Sequence, residues 1–102
     1  MRVILCTCPP ADAERIARAI VEAGAACVNI LPAVRSIYRW QGKLCDDAEG
    51  LLVVKAAAER VSELEQTLRR VHPYELPEWV VLSPDEALTS AAYRDWVRAP
   101  IE

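Results

Sequence analysis

Residues 26–54 hold two extended runs on either side of Trp40-Gln41-Gly42-Lys43, and their length restricts the folds open to this chain more than any other feature. Ala26-Cys27-Val28-Asn29-Ile30-Leu31 is strand-like in composition. Pro32 removes a ladder donor without ending the extended path, because residues 34–40 continue with β-branched and aromatic side chains. One long strand carrying a bulge is the economical reading. Past the turn at Gly42, residues 44 onward lead into Leu51-Leu52-Val53-Val54, so the two runs predict a hairpin. Arms of about ten residues or more, against a usual five or six, must reach beyond the core that so short a chain can build. Protruding strand edges invite partners.

The flanking segments supply the rest of the sheet. Val3-Ile4-Leu5-Cys6-Thr7-Cys8, stopped by Pro9-Pro10, reads as a strand buried on both faces. Asp12 then opens an amphipathic helix with Ile16, Ala19, Ile20 and Ala23 on one side, which Gly24 ends. A second helix over 59–72 places Val61, Leu64, Leu68 and Val71 on one side and stops at Pro73. Residues 78–82 predict a fourth strand, and 90–97 a short closing helix with Tyr93, Trp96 and Val97 together. Two strand-helix-strand units of about thirty residues, joined by a hairpin, give an α+β fold: a ferredoxin-like βαββαβ sandwich with a long β2-β3 hairpin and a C-terminal helix. The whole of 1–102 is one domain, since chains divide only well above this length. Both helices of such a sandwich cover one sheet face, so the other would expose Val, Ile and Trp side chains in a monomer. Symmetric self-association is the expected remedy.

Composition narrows the function classes. Hydrophobic residues make up 53% of the chain and charged residues 26%, which excludes disorder and favours burial between subunits. The net charge is -3 and no basic run exceeds Arg69-Arg70, so nucleic acid is not an expected partner. No apolar stretch approaches the roughly 20 residues that cross a bilayer, so no membrane partner is expected either. Met1-Arg2 runs directly into the first strand without a leader pattern, and a cytoplasmic location is expected. The four cysteines, at 6, 8, 27 and 45, are then expected as thiols.

Among chemistry-bearing side chains, Cys6, Cys8 and His72 are the soft donors that favour copper or zinc. His72 is the sole histidine, and bonding the last carbonyls of its helix is a sufficient role for it. An enzyme would need a nucleophile with an oriented base or paired carboxylates in a cleft, and one histidine with no glycine-rich loop points away from catalysis. Tyr38, Trp40, Lys55, Tyr74, Glu75 and Trp79 combine apolar bodies with polar tips, as subunit interfaces and small-ligand clefts do.

Four blocks carry a family likeness: Leu5-Cys6-Thr7-Cys8-Pro9, Ala26-Cys27-Val28-Asn29-Ile30, Ser36-Ile37-Tyr38-Arg39-Trp40-Gln41-Gly42-Lys43, and His72-Pro73-Tyr74-Glu75-Leu76-Pro77-Glu78. In that order and at that spacing the chain resembles the CutA divalent-cation tolerance family, and Ala92-Tyr93-Arg94-Asp95-Trp96 is similar to the family's last helix. The resemblance implies a ferredoxin-like homotrimer whose hairpins pack against neighbouring subunits, with a role in the response to divalent metal, copper above all. It also implies copper ligation at Cys6 and at a His-His pair before Pro-Tyr. Here Val71 replaces the first of that pair, which leaves Cys6 and His72. No cofactor is obligatory on this reading, and copper or another divalent metal is the ion it admits. Two alternatives stand beside it: a PII-like trimeric sensor of a small anionic metabolite using Lys55, and a scaffold trimer without ligand. Lys55-Ala56-Ala57 stands where Lys-Thr-Thr is common in the family, and Ser90-Ala91 where Asn-Pro is.

Overall fold

The computed structural model describes residues 1–101. β1 (Arg2–Cys8) is followed by a 3-10 turn and α1 (Ala13–Glu22), then β2 (Cys27–Trp40) and β3 (Lys43–Ala56), α2 (Val61–Val71), β4 (Val80–Leu82) and α3 (Ala91–Arg98). The sheet order is β2-β3-β1-β4, antiparallel throughout, which is the ferredoxin-like arrangement.

Alternation fixes the layers. Ile4, Cys6 and Cys8 of β1 and Leu52, Val54 and Ala56 of β3 are all buried, and they meet Ile16 and Ile20 of α1 and Leu64 and Leu68 of α2. Each fully buried Ile or Leu contributes about 1.5–3 kcal/mol, so this one layer of side chains is the main stabiliser of the protomer. Arg15 ties the helices together by donating through Nη1 to the carbonyl of Val71 at 2.9 Å. Gly24 closes α1 with φ +126°, and a Cβ there would meet Arg60 Nη1 and Ile101 Cδ1 at 3.0 Å, so the turn requires glycine on two counts. α2 ends because Pro73 forces His72 into extended backbone, φ −86° and ψ 133°.

The hairpin is the dominant shape. Each arm has 14 residues, a span of roughly 46 Å at about 3.3 Å per residue, which accounts for the longest molecular dimension of 44 Å. The radius of gyration is 14.3 Å, against about 13 Å for a compact chain of this length. Gln41 at φ 49° and Gly42 at φ 78° form the two-residue turn with both central residues in the left-handed region, which matches the twist of the arms. The expected bulge is present: Leu31 pairs with Leu51 and Val34 with Glu49, so Pro32 and Ala33 together face Gly50. The extra residue reverses the parity of the outer half of β2. Tyr38 and Trp40 therefore share a face with Asp47 and Glu49, whereas an unbroken register would set them on the opposite one.

Three details depart from the sequence reading. β1 is buried on one face only, since Val3, Leu5 and Thr7 are half-exposed where no helix covers the sheet. β4 is three residues long rather than five, because Glu78 and Trp79 belong to the irregular segment that precedes it. The second sheet face is not wholly bare. Tyr93 of α3 lies beside Cys27, whose side chain opposes the core-facing Val28, so α3 covers one end of that face. Ser90 caps α3, its Oγ accepting from the Tyr93 amide at 3.3 Å.

Candidate functional site

A cleft of about 1020 Å³ opens between the outer half of β2 and the segment from Pro73 to Val80. Arg35, Ser36, Ile37, Tyr38 and Trp40 line it from the hairpin, Tyr74, Glu75, Glu78 and Trp79 from the segment, and Thr7 of β1 and Glu49 of β3 complete it. The parity reversal at Pro32-Ala33 places Tyr38 and Trp40 on the Glu49 face, and the opposite wall is an irregular segment that bends at residues 74–76 between Pro73 and Pro77. Five of the six residues singled out as a ligand or interface set, Tyr38, Trp40, Tyr74, Glu75 and Trp79, meet here. Lys55 does not. It stands near the far end of β3, where its ammonium donates to Asn29 Oδ1.

Glu49 is the most buried polar residue of the cleft, at 7% exposure. Its Oε2 accepts from the Tyr74 hydroxyl at 2.8 Å. Burial, and then this hydrogen bond, push the Tyr74 phenol far up, so the hydroxyl is a committed donor. Glu78 is raised above the usual carboxylate range by burial and by the nearby charge of Glu49. Tyr38 donates to Asp47 Oδ2 at 2.7 Å, and that bond leads the causes that push its phenol up to about 12. Arg35 is engaged at both ends by Asp46, Nε to Oδ1 at 2.9 Å and Nη2 to Oδ2 at 2.6 Å, which lowers the Asp46 carboxyl. The indole N–H of Trp79 is sealed from solvent without an acceptor.

The soft-donor pair lies at the edge of this site. Cys6 is fully buried in the core layer, and burial, followed by the charges of Cys8, Glu78 and Glu49, pushes its thiol up to about 12. His72 is 8% exposed. Its Nε2 meets the Thr7 carbonyl at 2.8 Å, and its Nδ1 accepts from the Tyr74 amide at 3.1 Å, which assigns the ring as neutral with the proton on Nε2. Cys6 Sγ contacts the same Thr7 carbonyl at 3.6 Å, so the two side chains converge on one backbone oxygen. Among the described residues no group of three or more His, Cys, Asp or Glu side chains is placed to hold a metal ion. In this conformation the pair does not fit a resident copper centre: the thiol is held protonated, the imidazole lone pair is occupied, and two donors fall short of the three or four such sites use.

Glu49, Glu78 and Arg35 are the cleft residues that sequence reasoning passes over. Glu78 lies in the same block as Tyr74 and Glu75, and that was its one signal. Glu49 lies 25 residues from its partner Tyr74, and only the bulged register shows which face it takes.

A family model described as CutA1 divalent ion tolerance protein matches residues 2–100. The divalent-cation tolerance protein CutA of Thermus thermophilus is 44% identical over 98 residues, which cover 94% of this chain and 93% of that protein. Protein CutA of Bos taurus is 41% identical over 97 residues, 94% of this chain, and the chain spans only about half, 54%, of its length. Among solved structures, one described as the PII-like protein CutA from Nostoc in apo form superposes with a TM-score of 0.90 at 40% identity, covering 96% of this chain and 94% of that one. No described helix is long and apolar enough to cross a membrane. With the sheet order, the long hairpin and the matched span in agreement, the chain belongs to the CutA1 divalent ion tolerance family.

Proposed function

We propose that the protein is a non-catalytic homotrimer of the divalent-cation tolerance response, working as a sensor whose cleft beside the hairpin binds a small ligand. The observation that carries this reading is the cleft itself, about 1020 Å³ with aromatic and carboxylate side chains drawn from β2, β3 and the 73–80 segment. Self-association is supported by the apolar groups the protomer leaves outside. Ile37 is 62% and Leu44 81% exposed on the hairpin, and Val80, Val81 and Leu82 are 42–45% exposed on the edge strand. Three copies is the number that the family resemblance implies, and a cytoplasmic location suits the free thiols at all four cysteines. Light scattering on the full chain tests the assembly: three times 11.3 kDa is expected, and a protomer mass at micromolar concentration overturns it. Thermal shifts across a panel of small anions, cations and metal ions test the cleft, with a saturable rise in Tm expected for at least one class.

Copper at Cys6 and His72 is the second reading, favoured by their convergence on the Thr7 carbonyl. It requires the Tyr74 amide to release Nδ1 and the Cys6 thiol to ionise, so the metal would be transient cargo. Titration of Cu(I) into reduced protein tests it. Saturation at a fixed stoichiometry that Cys6→Ser with His72→Ala removes is expected on this reading, and binding no greater than in a cysteine-free variant ends it.

A further inference from the structure

The cleft has a definite electrostatic sign. Glu49, Glu75 and Glu78 line it, and Arg35 is the one basic residue among the lining side chains. Asp46 holds both ends of that guanidinium at 2.9 and 2.6 Å, so Arg35 brings little free positive charge to the cleft. Glu49 is 7% exposed, and its carboxylate receives one hydrogen bond, from Tyr74 to Oε2. Among the described residues no Lys, Arg or His pairs with it, and Oε1, which is not sealed from solvent, takes no protein donor and stays open to the cleft. A carboxylate with one oxygen held by Tyr74 and the other turned to the cleft is a ready partner for a cation that enters there.

The rest of the lining selects among cations. A bare metal ion needs several converging oxygen, nitrogen or sulfur donors, and the described residues contain no such group. Four aromatic rings, Tyr38, Trp40, Tyr74 and Trp79, line the cleft instead. Ring faces attract ammonium groups and accommodate the alkyl carbons attached to them, which a hydrated metal ion cannot exploit.

We infer that the cleft binds a small organic cation, an alkylammonium or a diamine, with its charged nitrogen at Glu49 and Glu78 and its carbon body against the aromatic side chains. This rests on the ligand-cleft reading above and gives it a ligand class. It differs from the alternative of a small anionic metabolite, since Lys55, the cation that alternative would use, is bonded to Asn29 and does not line the cleft.

The test uses the full chain at low salt, with tetramethylammonium, putrescine, acetate, inorganic phosphate and Mg²⁺ as separate probes. Tryptophan fluorescence and Tm are the two readouts. Saturable quenching and a rise in Tm are expected with putrescine or tetramethylammonium, and not with acetate, phosphate or Mg²⁺. Glu49→Gln should weaken the amine about tenfold or more, as expected for loss of a buried charge partner. Glu78→Gln, at an exposed position in the protomer, supplies the same test if Glu49→Gln fails to fold. Binding of phosphate, acetate or Mg²⁺ without binding of either amine overturns this inference and leaves the ligand-cleft reading standing. An amine affinity unchanged in both variants places the amine elsewhere and also overturns it. Dissociation of the assembly by Glu49→Gln would identify the counter-ion as a side chain of another copy and would overturn it as well. No response to any probe removes both readings.

Discussion

The Tyr74 hydroxyl donates to Oε2 of Glu49 at 2.8 Å, joining the middle of β3 to the segment after α2 across 25 residues of sequence. This bond holds the two walls of the cleft at a fixed separation. Tyr74→Phe leaves a carboxylate of 7% exposure without its donor and should cost about 1–3 kcal/mol in denaturant melts. In Glu49→Gln the same Tyr74→Phe change should cost less, because a neutral amide tolerates the lost donor better. Equal costs in both backgrounds would show that the pair is not coupled.

Alkaline pH should destabilise the protein before it reaches the lysine range. The Cys6 thiol ionises near 9.0 when free and is pushed up to about 12 in the fold, and the Tyr38 and Tyr74 phenols are raised as well. The folded state then holds protons that the unfolded chain has released. The contribution of Cys6 is fully present below pH 9.0 and is lost as pH rises towards about 12, at up to about 1.4 kcal/mol per pH unit. Urea midpoints measured from pH 8 upward check this, and Cys6→Ala should flatten the decline. An unchanged slope in that variant would exclude the thiol as its source.

The four thiols should divide by accessibility. Cys6 and Cys8 are fully buried, and burial raises both, whereas Cys27 and Cys45 are half-buried. A thiol-exchange reagent at pH 8 should therefore leave Cys6 and Cys8 unmodified until guanidinium unfolds the chain, with peptide mass spectrometry assigning each site. Rapid native labelling of Cys6 would contradict the packing of β1 against α1.

Gly24 supports a prediction on stability alone. Gly24→Ala combines a positive φ of 126° with contacts at 3.0 Å to Arg60 and Ile101, and should cost about 1–3 kcal/mol without changing the assembly. Calorimetry beside light scattering separates the two effects.

Ile37→Asp should act in the opposite sense. Ile37 is 62% exposed on the protomer, so the charge costs its fold little but would be buried in a trimer packed on the hairpin. The expected result is a fall in mass towards 11.3 kDa with an unchanged far-ultraviolet spectrum. A full trimer in this variant would move the interface elsewhere.

Local signals made most of the fold legible. Pro32 inside a strand-like run announced the bulge, Gly42 the turn, and Gly24 and Pro73 the ends of the two helices. The placement of α3 was not legible, because eight residues with Tyr93, Trp96 and Val97 on one side fit either sheet face. At the cleft, the aromatic members were recognisable by type. Glu49 was hidden because its burial depends on Tyr74 and on a register that two residues of β2 displace. Lys55, grouped with the aromatic residues by side-chain type, lies near the end of β3 away from the cleft, beside Asn29.

The bulge at Pro32-Ala33 also divides the hairpin into two parts with separate design rules. On the core side, inward and outward positions are dictated by α1 and α2. Beyond it, parity restarts, and the segment from Val34 to Ala48 answers to its own cross-strand pairs and to the cleft wall it meets, while Glu49 stays tied to Tyr74. Such a segment can be exchanged as a cassette, new loop and new surface included, while the numbering of the core stays in phase.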